Sequence, residues 1–372
     1  MPNEADNHTD SSFNSEKVLI VNVAVAVIHH EAQYLLGFRN AAQHQGNRYE
    51  FVGGKIEANE NAEQALIREV AEETGIEICD NTMVKLGRLH HNYGDKQVSL
   101  QIYKVELTAQ QYEQHKYRQY GLEGQALTWV NKADLLAGKY HLPAANQTIL
   151  EWLSVPTTIA ITYPLTHFDA TPDPVAAWLT FHQNKLTANA WVYIRIKAAG
   201  SESIAAQLMH MRPDIKAIVP CDVNAQTLTI EAPLAMKDTT TANSIVANSI
   251  VANQLSHTAL LQWSEDTQDR VLSKNYPLIV SCHDAASIDA ANKLAHARLQ
   301  QQLPPVIGAF LSPVLVTHTH PDTVPLGWES WSALAQLADM PIIGLGGLSP
   351  VMIHQVLEHG GISVAGIREF FE

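Results

Sequence analysis

Apolar and polar positions in the first 150 residues follow the periods of strands and of one helix. Val18 to Ile28 alternates well enough to line a sheet, and Tyr34 to Phe38 forms a second apolar run after a polar turn. A helix is predicted from Asn61 or Ala62 to Thr74, because its apolar positions recur at helical spacing and Gly75 suits a C-terminal cap. Further strands are predicted at Val98 to Leu107 and at Thr128 to Val130.

A second regular pattern begins at Pro277, after a linker expected at Ser154 to Thr157 and a β-rich segment at Thr158 to Thr162. Strands and helices alternate there, and this spacing predicts βα units in a parallel sheet or barrel. The predicted strands are Leu278 to Ser281, Ala309 to Val316 and Ile342 to Leu345, and the predicted helices are Ala285 to Gln301, Trp328 to Ala338 and Pro350 to Glu358.

Residues 231 to 256 interrupt this regularity. They are rich in Ala, Thr, Asn and Ser, and the five residues from Asn243 to Ala247 are repeated at Asn248 to Ala252. A duplication this short predicts a tolerated loop or helix insertion rather than a solenoid, whose repeats span roughly 20 residues or more.

The length of 372 residues favours two domains, because single domains commonly span roughly 100 to 200 residues. The hydrophobic fraction of 46% and the charged fraction of 17% are typical of globular proteins. A net charge of −14 argues against broad binding to duplex nucleic acid, which usually requires a basic face. Any phosphate contact near the acidic residues would therefore need a bound metal.

Cysteine usage and the N-terminal segment indicate a reducing compartment. Cys79, Cys221 and Cys282 are far apart and form no CxxC pair, so neither a disulfide framework nor a thiolate zinc site is expected. The first 17 residues lack the basic and apolar regions of a signal peptide. Val18 to Ile28 is far shorter than the roughly 20 residues that span a bilayer. We therefore expect a cytoplasmic protein without a membrane partner.

Three glutamates carry the most specific chemical signal. On the predicted helix, Glu69, Glu72 and Glu73 stand at positions i, i+3 and i+4, so their carboxylates share one face. Arg68 can offset only part of the resulting repulsion, because Glu60 lies close by. Hard oxygen ligands gathered in this way suit Mg²⁺ or Mn²⁺, ions that also bind phosphates and neutralise charge as a phosphoanhydride is cleaved. Considered alone, the three glutamates are more typical of a solvated acidic face.

A longer pattern favours the metal site over the solvated face. It resembles the Nudix box, which reads Gly, five residues, Glu, seven residues, then Arg-Glu-aliphatic-x-Glu-Glu-x-Gly-aliphatic. Seven fixed positions agree by chance on the order of once in 10⁸ windows of average composition. The matching residues are Gly54, Glu60, Arg68, Glu69, Val70, Glu72, Glu73, Gly75 and Ile76.

The resemblance extends to the MutT branch of the Nudix family, the 8-oxo-dGTP diphosphatases, over roughly residues 18 to 152. Residues 50 to 57 read Glu-Phe-Val-Gly-Gly-Lys-Ile-Glu, which is similar to that branch's Glu-Phe-Pro-Gly-Gly-Lys-Ile-Glu with Val52 in place of proline. Downstream, Glu123-Gly124-Gln125 with Trp129 looks like the branch's Glu-Gly-Gln and Trp, and Pro143 to Asn146 resembles its Pro-Ala-Asn segment. The resemblance implies an α/β/α sandwich with a mixed sheet.

The same resemblance implies roles for individual residues. The implied metal ligands are Glu69, Glu72, Glu73, Glu123 and the Gly53 carbonyl, the implied catalytic group adds Arg68, and the implied substrate contacts are Arg39, Phe51 and Asn146. Glu123 is either a metal ligand or a base for the attacking water. The Asn146 amide would read a purine edge, since it offers a donor and an acceptor together. Without the resemblance, Asn146 is more typical of a turn or helix cap and Phe51 of a core.

The reaction implied by the family is hydrolysis of a nucleoside triphosphate to its monophosphate and pyrophosphate, with Mg²⁺ or Mn²⁺ as cofactor. Its biological consequence would be removal of oxidised dGTP before a polymerase incorporates it into DNA.

The second half of the chain resembles thiamine phosphate synthase and its TenI relatives, which are (β/α)8 barrels. Ile159 to Thr162 looks like the family's first strand, and Arg195-Ile196-Lys197 looks like its Arg-x-Lys on the second. Ser281 to His283 and Ser312 to Val314 follow in the family's order near strand ends, where barrel enzymes keep their sites. A thiamine phosphate-like ligand is implied, with phosphate contacts from Arg195, Lys197, Thr317, Thr319, Gly346 and Gly347.

The residues themselves offer one hint of an anion site in this half. The segment from Gly344 to Pro350 is predicted to close a strand and open a helix, with Ser349 as N-cap and Pro350 at the first helical position. Backbone N–H groups at such a helix start would face an anion. A plain tight turn explains the glycine pair equally well.

Several departures from the synthase pattern predict a barrel that binds or regulates rather than catalyses. His320 stands where synthases carry Lys, Asp222 is all that remains of an acidic metal pair, and the segment around His257 matches poorly. His318 and His320 would share one strand face, but two histidines make an incomplete zinc set.

Three hypotheses follow from the sequence. The first is a MutT-like hydrolase of 8-oxo-dGTP with a degenerate barrel. The second is a Nudix hydrolase of a thiamine-related diphosphate, or a bifunctional enzyme with synthase activity. The third is a ligand-binding protein in which the barrel carries the function. Their shared domain plan is a disordered tail at residues 1–16, a Nudix domain at 17–153 and a barrel at 158–372; the oligomeric state has no signal in the sequence.

Overall fold

A computed structural model of the protein describes residues 19–39, 46–92, 96–198, 200–221, 249–265, 272–317 and 323–371. The tail predicted at residues 1–16 lies outside these ranges, as do Asp222, His318, Thr319 and His320. Within them, a mixed sheet with helices is followed by a closed barrel of parallel strands. The predicted class, a Nudix-type α/β unit and a (β/α)8 barrel, is confirmed.

The first unit is built on a seven-stranded sheet. Its strands are β1 (Leu19–His30), β2 (Gln33–Phe38), β3 (Tyr49–Glu50), β4 (Val52–Lys55), β5 (Met83–Asn92), β6 (Lys96–Glu106) and β7 (Ala126–Asn131). Its helices are α1 (Ala62–Thr74), α2 (Ala109–His115), α3 (Lys132–Leu136) and α4 (Asn146–Ser154). The strand order is β3-β2-β1-β6-β5, with β4 paired to β1 and β7 paired to β2. β1 and β6 are parallel, and the other pairs are antiparallel.

Alternation along the strands divides the sheet into two apolar faces. On β1, Ala26 and Ile28 belong to the apolar cluster that also contains Leu66 of α1, whereas Val27 belongs to the cluster that contains α4. Successive strand residues point to opposite faces, so this division follows directly from the pattern in the sequence.

Helix α1 begins and ends as predicted. The Asn61 side chain accepts a hydrogen bond from the Gln64 N–H at 2.9 Å, and the Gln64 side chain accepts one from the Asn61 N–H at 3.0 Å. Gly75 adopts φ 69° and donates its N–H to Ala71 O at 2.9 Å. This reciprocal N-terminal cap and left-handed C-terminal residue fix both ends of the helix that carries the glutamates.

The second unit is a closed barrel of eight parallel strands. They are β8 (Thr158–Ile161), β9 (Trp191–Tyr193), β10 (Lys216–Pro220), β11 (Ile250–Leu255), β12 (Leu278–Cys282), β13 (Val306–Leu311), β14 (Ile342–Leu345) and β15 (Ser363–Gly366). The helices are α5 (Pro174–Lys185), α6 (Ser201–Met211), α7 (His257–Glu265), α8 (Ala285–Gln300), α9 (Gly327–Leu337) and α10 (Ile353–Glu358). β15 pairs with β8 and closes the barrel.

The prediction of a loop or helix insertion at residues 231 to 256 was wrong at its C-terminal end. Ile250 to Leu255 form β11, which pairs with β10 on one side and β12 on the other. Ile250, Ala252 and Leu255 are buried. The strand could not be predicted from the composition, because the surrounding sequence is polar and a poor strand former. Hydrogen bonds from the two neighbouring strands stabilise it instead.

Two further boundaries differ from those predicted. β13 begins at Val306 and ends at Leu311, not at Val316, and Pro313 lacks the N–H that a continuing strand would need. Pro350 starts a three-residue 3-10 turn that precedes the short helix α10, and the Ser349 side chain makes no capping hydrogen bond. The glycine segment before it therefore does not open onto a full α-helix.

Helix α4 lies between the two units. Its Ile149, Trp152 and Leu153 share one apolar cluster with Leu86 of β5 and with Ile307 of β13. In the described part of the chain, no helix combines the length and apolar character needed to cross a membrane.

Candidate active site

Gly54, in the glycine pair of β4, lies directly against the carboxylate of Glu69 on α1. An ideal Cβ on Gly54 would lie 2.1 Å from the carboxyl carbon of Glu69. On Gly53, which has φ 153°, a Cβ would lie 2.1 Å from Ala24 O of β1. Gly53 therefore requires glycine for backbone space and conformation, and the absence of a side chain at Gly54 leaves the space that the Glu69 carboxylate occupies.

Arg68 gathers three carboxylates around its guanidinium. Its nitrogens lie 2.6 Å from Glu60, 2.8 Å from Glu69 and 3.1 Å from Glu72, each measured to the nearest carboxylate oxygen. Nη2 also donates to Lys55 O at 3.1 Å. The predicted partial charge compensation by Arg68 thus takes the form of a direct ion-pair network that ties α1 to the end of β4.

Glu73 is directed to a different set of neighbours. Burial, together with the nearby carboxylates of Glu50, Glu123 and Glu69, raises the pKa of Glu73 to about 7. Four carboxylates consequently lie near one another, and no positively charged group is among those that shift the pKa of Glu73. Such a cluster disfavours ionisation and favours a bound cation.

Glu50 belongs to this cluster, although the sequence assigned it no role. It pairs with Arg39 of the β2 end, one of the predicted substrate residues. Burial raises the pKa of Glu50, and the Arg39 pairing counteracts part of the rise. Its position three residues before Gly53, in the segment that resembles the MutT branch, is the signal that would have indicated it.

The loop that carries Glu123 is fixed to the C-terminal end of α1. The Leu122 N–H donates to Glu73 O at 2.8 Å, and Gln125 Nε2 donates to the same oxygen at 3.2 Å. Arg118 donates to Thr74 O. Glu123 is exposed, yet these bonds hold it near enough for its charge to act on Glu73. The carboxylate of Glu123, a predicted metal ligand, is therefore brought close to Glu73 of α1 from a distant part of the chain.

The donors in this cluster fit a divalent cation. Carboxylate oxygens are hard ligands of the kind that Mg²⁺ and Mn²⁺ prefer, and the carboxylates of Glu50, Glu123 and Glu69 lie close enough to Glu73 for their charge to raise its pKa. Among the described residues, no three acidic, histidine or cysteine side chains already converge on one point. Glu69 and Glu72 are turned toward Arg68, so they would have to rotate to act as ligands together with Glu73.

Of the two predicted base-contacting residues, Phe51 belongs to the apolar cluster on the other face of the sheet, and Asn146 lies on α4, which packs on that face. Phe51 is 4% exposed, and Asn146 is 9% exposed. Asn146 is the first residue of α4, where its N–H donates to Pro143 O at 2.9 Å. Phe51 thus occupies the core position expected for it, whereas Asn146 is not the helix cap, because Ala145 precedes it as the N-cap residue.

The described barrel residues with predicted phosphate roles lie at the C-terminal ends of strands. Arg195 and Lys197 follow β9, and Arg195 is close enough to lower the pKa of Lys197. Gly346 and Gly347 follow β14 with φ 97° and 72°, and a Cβ on Gly346 would lie 3.2 Å from Thr317 Cγ2. Thr319 lies outside the described residues. The glycine pair needs glycine for conformation and for space, as a tight turn would.

A polar network inside the barrel was not predicted. Tyr193 OH donates to Gln254 Oε1 at 2.8 Å, and Gln254 Nε2 donates to Ser281 Oγ at 2.8 Å. His283 Nδ1 lies 2.7 Å from Ser312 O, and its ring lies 4.8 Å from that of His257 between centroids. Polar residues at the ends of apolar strands were a signal for this network, but the β11 segment was not predicted to be a strand.

Comparison with known proteins gives relatives for both units. The family model described as NUDIX domain matches residues 23–152, and the model described as Thiamine monophosphate synthase matches residues 264–370. The 8-oxo-dGTP diphosphatase of Escherichia coli is 31% identical over 131 residues, which is 35% of this chain and 93% of that protein. The 8-oxo-dGTP diphosphatase of Haemophilus influenzae is 33% identical over 135 residues, which is 36% of this chain and 91% of that protein.

The barrel has a shorter match. A relative from Aquifex aeolicus, whose name assigns it to the thiamine-phosphate synthases, is 31% identical over 62 residues, or 17% of this chain and 33% of that protein. Arg195 and Lys197 precede the range matched by the synthase model. The geometry of the carboxylate cluster and these relatives lead to one assignment: the chain belongs to the Nudix hydrolase family, as a Nudix pyrophosphohydrolase fused to a barrel of the thiamine phosphate synthase type.

Proposed function

We propose that the protein is a Mg²⁺-dependent diphosphatase that hydrolyses 8-oxo-dGTP, or closely related oxidised purine nucleoside triphosphates, to the monophosphate and pyrophosphate. The observation that carries the proposal is the cluster that the partly buried Glu50, Glu69 and Glu73 form with the exposed Glu123, beside the glycine pair of β4. The substrate is suggested by the names of two relatives, each of which this chain matches over nearly its whole length. The biological role would be to keep oxidised dGTP out of DNA.

Glu69, Glu72, Glu73, Glu123 and the Gly53 carbonyl are the residues we assign to the cation. Bound there, Mg²⁺ or Mn²⁺ would neutralise phosphate charge and act as a Lewis acid on the phosphoanhydride. Arg68 holds Glu60, Glu69 and Glu72 in place. A carboxylate such as Glu69 or Glu123 orients and deprotonates the attacking water.

We assign the nucleotide contacts to Arg39, Phe51 and Asn146. Arg39 lies at the end of β2 against Glu50, so its guanidinium is placed beside the carboxylate cluster. The Asn146 amide would pair with the purine edge, and the Phe51 ring would contact the base. The proposed domain limits are residues 17–153 for the Nudix domain and 158–372 for the barrel.

The proposal is tested by measuring pyrophosphate release from 8-oxo-dGTP, dGTP and thiamine diphosphate by the full chain with Mg²⁺. We expect kcat/KM for 8-oxo-dGTP to be the highest by a factor of about 100, since one buried hydrogen-bonding group left unpaired by another substrate costs about 1 to 3 kcal/mol. Equal rates on dGTP, or faster release from the thiamine compound, would contradict the proposed substrate.

The barrel is a second candidate site, and we propose that it binds or regulates rather than catalyses. The supporting observation is that Arg195 and Lys197 follow β9 and the Gly346-Gly347 turn, beside Thr317, follows β14, so all lie beyond C-terminal strand ends on the same side of the barrel. Calorimetry of the full chain with thiamine phosphate tests this: heat of binding that is lost in Arg195→Ala supports the site. Absence of heat up to about millimolar ligand, a free energy of about −4 kcal/mol, would leave the barrel as a scaffold.

A further inference from the structure

The junction between the two units is extensive and buried. Trp152 of α4 is 2% exposed, and its Nε1 donates to Val306 O, the first residue of β13, at 3.0 Å. Lys85 Nζ of β5 donates to Gln336 O at 2.6 Å, and the Arg88 N–H donates to Asp339 O at 3.3 Å. These acceptors precede or begin barrel strands, so the Nudix sheet packs on the N-terminal side of the barrel.

Close approach at one glycine shows how tightly the units fit. An ideal Cβ on Gly87 of β5 would lie 2.6 Å from Asp339 O in the barrel and 2.7 Å from the Trp152 ring. Trp152 therefore touches the Nudix sheet and the barrel at once. No side chain larger than hydrogen fits at this contact without moving the barrel or the tryptophan.

Helix α4 depends on these contacts for its position. It has nine residues, and its N-cap residue, Ala145, makes no side-chain hydrogen bond to the first turn. Helices this short are marginal in isolation, and a missing cap weakens the N-terminal turn further. Its buried side chains are Asn146, Thr148, Ile149, Leu150, Trp152 and Leu153, so nearly every face of the helix is covered. Packing from both sides, and not its own caps, sets where the first residue lies.

That first residue is Asn146, to which the proposed function assigns recognition of the base. Trp152 lies six residues further along the same helix, roughly 9 Å at 1.5 Å per residue. Phe51, the other proposed base contact, belongs to the same apolar cluster as Ile149, Trp152 and barrel residue Ile307. Displacement of α4 by the barrel would therefore move both base-contacting groups, while the carboxylates of α1 lie on the opposite face of the sheet.

We infer that the barrel is a structural part of the nucleobase pocket: Trp152, held by Val306, is a positioning residue that sets the place of Asn146 through α4. This inference rests on the proposed function. It predicts that loosening the junction weakens binding of the base and leaves the hydrolytic step intact, because only the α4 side of the sheet is disturbed.

The test uses two junction variants and one matched control in the full chain. Trp152→Phe removes the indole N–H and keeps an aromatic ring. Gly87→Ala places a methyl group against Asp339 O and Trp152. Trp331→Phe is the control, because Trp331 is also fully buried and donates its Nε1 to a strand carbonyl, Leu311 O, at 3.0 Å, but lies within the barrel.

In both junction variants we expect KM for the nucleotide to rise about tenfold with kcat changed less than about twofold, the pattern of a lost binding contribution. The Kd of 8-oxo-dGMP measured by calorimetry without metal should rise by a similar factor. Trp331→Phe should leave KM and Kd unchanged. An unchanged KM in both junction variants, or an equal rise in the control, would overturn the inference.

Wild-type rates separate this inference from the proposed function. If the wild-type chain prefers another nucleoside triphosphate, the substrate proposal fails, and the same variants are compared with that nucleotide and its monophosphate. If the wild-type chain hydrolyses none, the proposed function and the inference are both refuted.

Discussion

At the scale of single residues, the site depends on the space between a glycine and a carboxylate. The Glu69 carboxyl carbon occupies the position that a side chain on Gly54 would take, at 2.1 Å from the ideal Cβ. Because that carboxylate is the far end of a flexible side chain, it can move aside without disturbing the fold. The requirement for glycine at this position is therefore one of function more than of stability.

Gly54→Ala should consequently lower kcat by about 100-fold or more, the size of effect seen when one group that stabilises the transition state is displaced. The melting temperature should change little. Steady-state kinetics and thermal unfolding check the two parts. Gly37→Ala is the control, since its Cβ would meet its nearest atom at an ordinary 3.9 Å. Full activity in Gly54→Ala would show that the Glu69 position is irrelevant to hydrolysis.

Glu72→Gln tests the metal assignment with little risk to folding. The Glu72 side chain is 53% exposed, and its ion pair with Arg68 at 3.1 Å is of the surface kind that contributes less than about 1 kcal/mol. We expect turnover to fall at least about 100-fold while the circular dichroism spectrum stays unchanged. Glu63→Gln, an exposed position in the first turn of the same helix, should retain activity. Wild-type turnover in Glu72→Gln would remove this residue from the ligand set.

At this scale the sequence predicts roles for the α1 carboxylates from the spacing of the Nudix box and for Glu123 from its Glu-Gly-Gln segment, and the structure brings Glu123 close to Glu73. It missed Glu50, whose effect on Glu73 depends on how β3 and α1 meet in space. It also did not anticipate that Arg68 would draw Glu69 and Glu72 to itself, since the spacing of charges on a helix does not specify rotamers.

At the scale of elements, local signals worked where the segment determines its own structure. Helix α1 has caps at both ends within its own sequence, and both ends were predicted. β11 and β5 were not predicted, because a polar segment and a strand interrupted by Gly87 depend on neighbouring strands for their pairing. The same reason explains the misplaced limits of β13, whose start at Val306 is set by pairing with β12.

Helix α5 of the barrel carries a buried histidine, His182, whose protonation at low pH should destabilise the fold. His182 is fully buried; its Nε2 accepts the Tyr163 N–H at 3.1 Å, so Nδ1 carries the proton and donates it to Trp178 O at 2.7 Å. Burial, with a smaller contribution from the charge of nearby His167, lowers the pKa of His182 to about 4. The imidazole ring contacts the rings of Tyr163, Trp178, Phe168, Phe181 and Phe371. Protonation would cost the Tyr163 bond.

The unfolded chain takes up this proton near pH 6.5, whereas the folded chain does so only near pH 4. The stability that His182 contributes is therefore complete above about pH 6.5 and is lost as pH falls toward 4, by up to about 3 kcal/mol. Urea unfolding at pH 7, 6 and 5 should show a shallower pH dependence for His182→Gln than for wild type. His354→Gln, at an exposed position on α10, should keep the wild-type dependence. Parallel curves for all three proteins would refute this assignment.

At the scale of the whole molecule, the hydrolytic unit and the barrel are joined through the N-terminal side of the barrel. Trp152 and Lys85 bond to barrel carbonyls there, while Arg195 and the Gly346-Gly347 turn lie at the strands' C-terminal ends. Two candidate sites in one chain therefore face different directions. The sequence carried no sign of this junction, because contacts between Trp152, Gly87 and Asp339 join segments that are distant in the chain and individually ordinary.

The central claim is that the acidic cluster of α1 acts through a divalent cation on a polyphosphate. The most direct test is hydrolysis of 8-oxo-dGTP by the full chain after removal of metal with EDTA, followed by addition of Mg²⁺ or Mn²⁺ in excess. We predict that pyrophosphate release disappears with EDTA and returns with either ion, whereas Glu72→Gln stays inactive throughout. Undiminished release in the presence of EDTA would contradict the account.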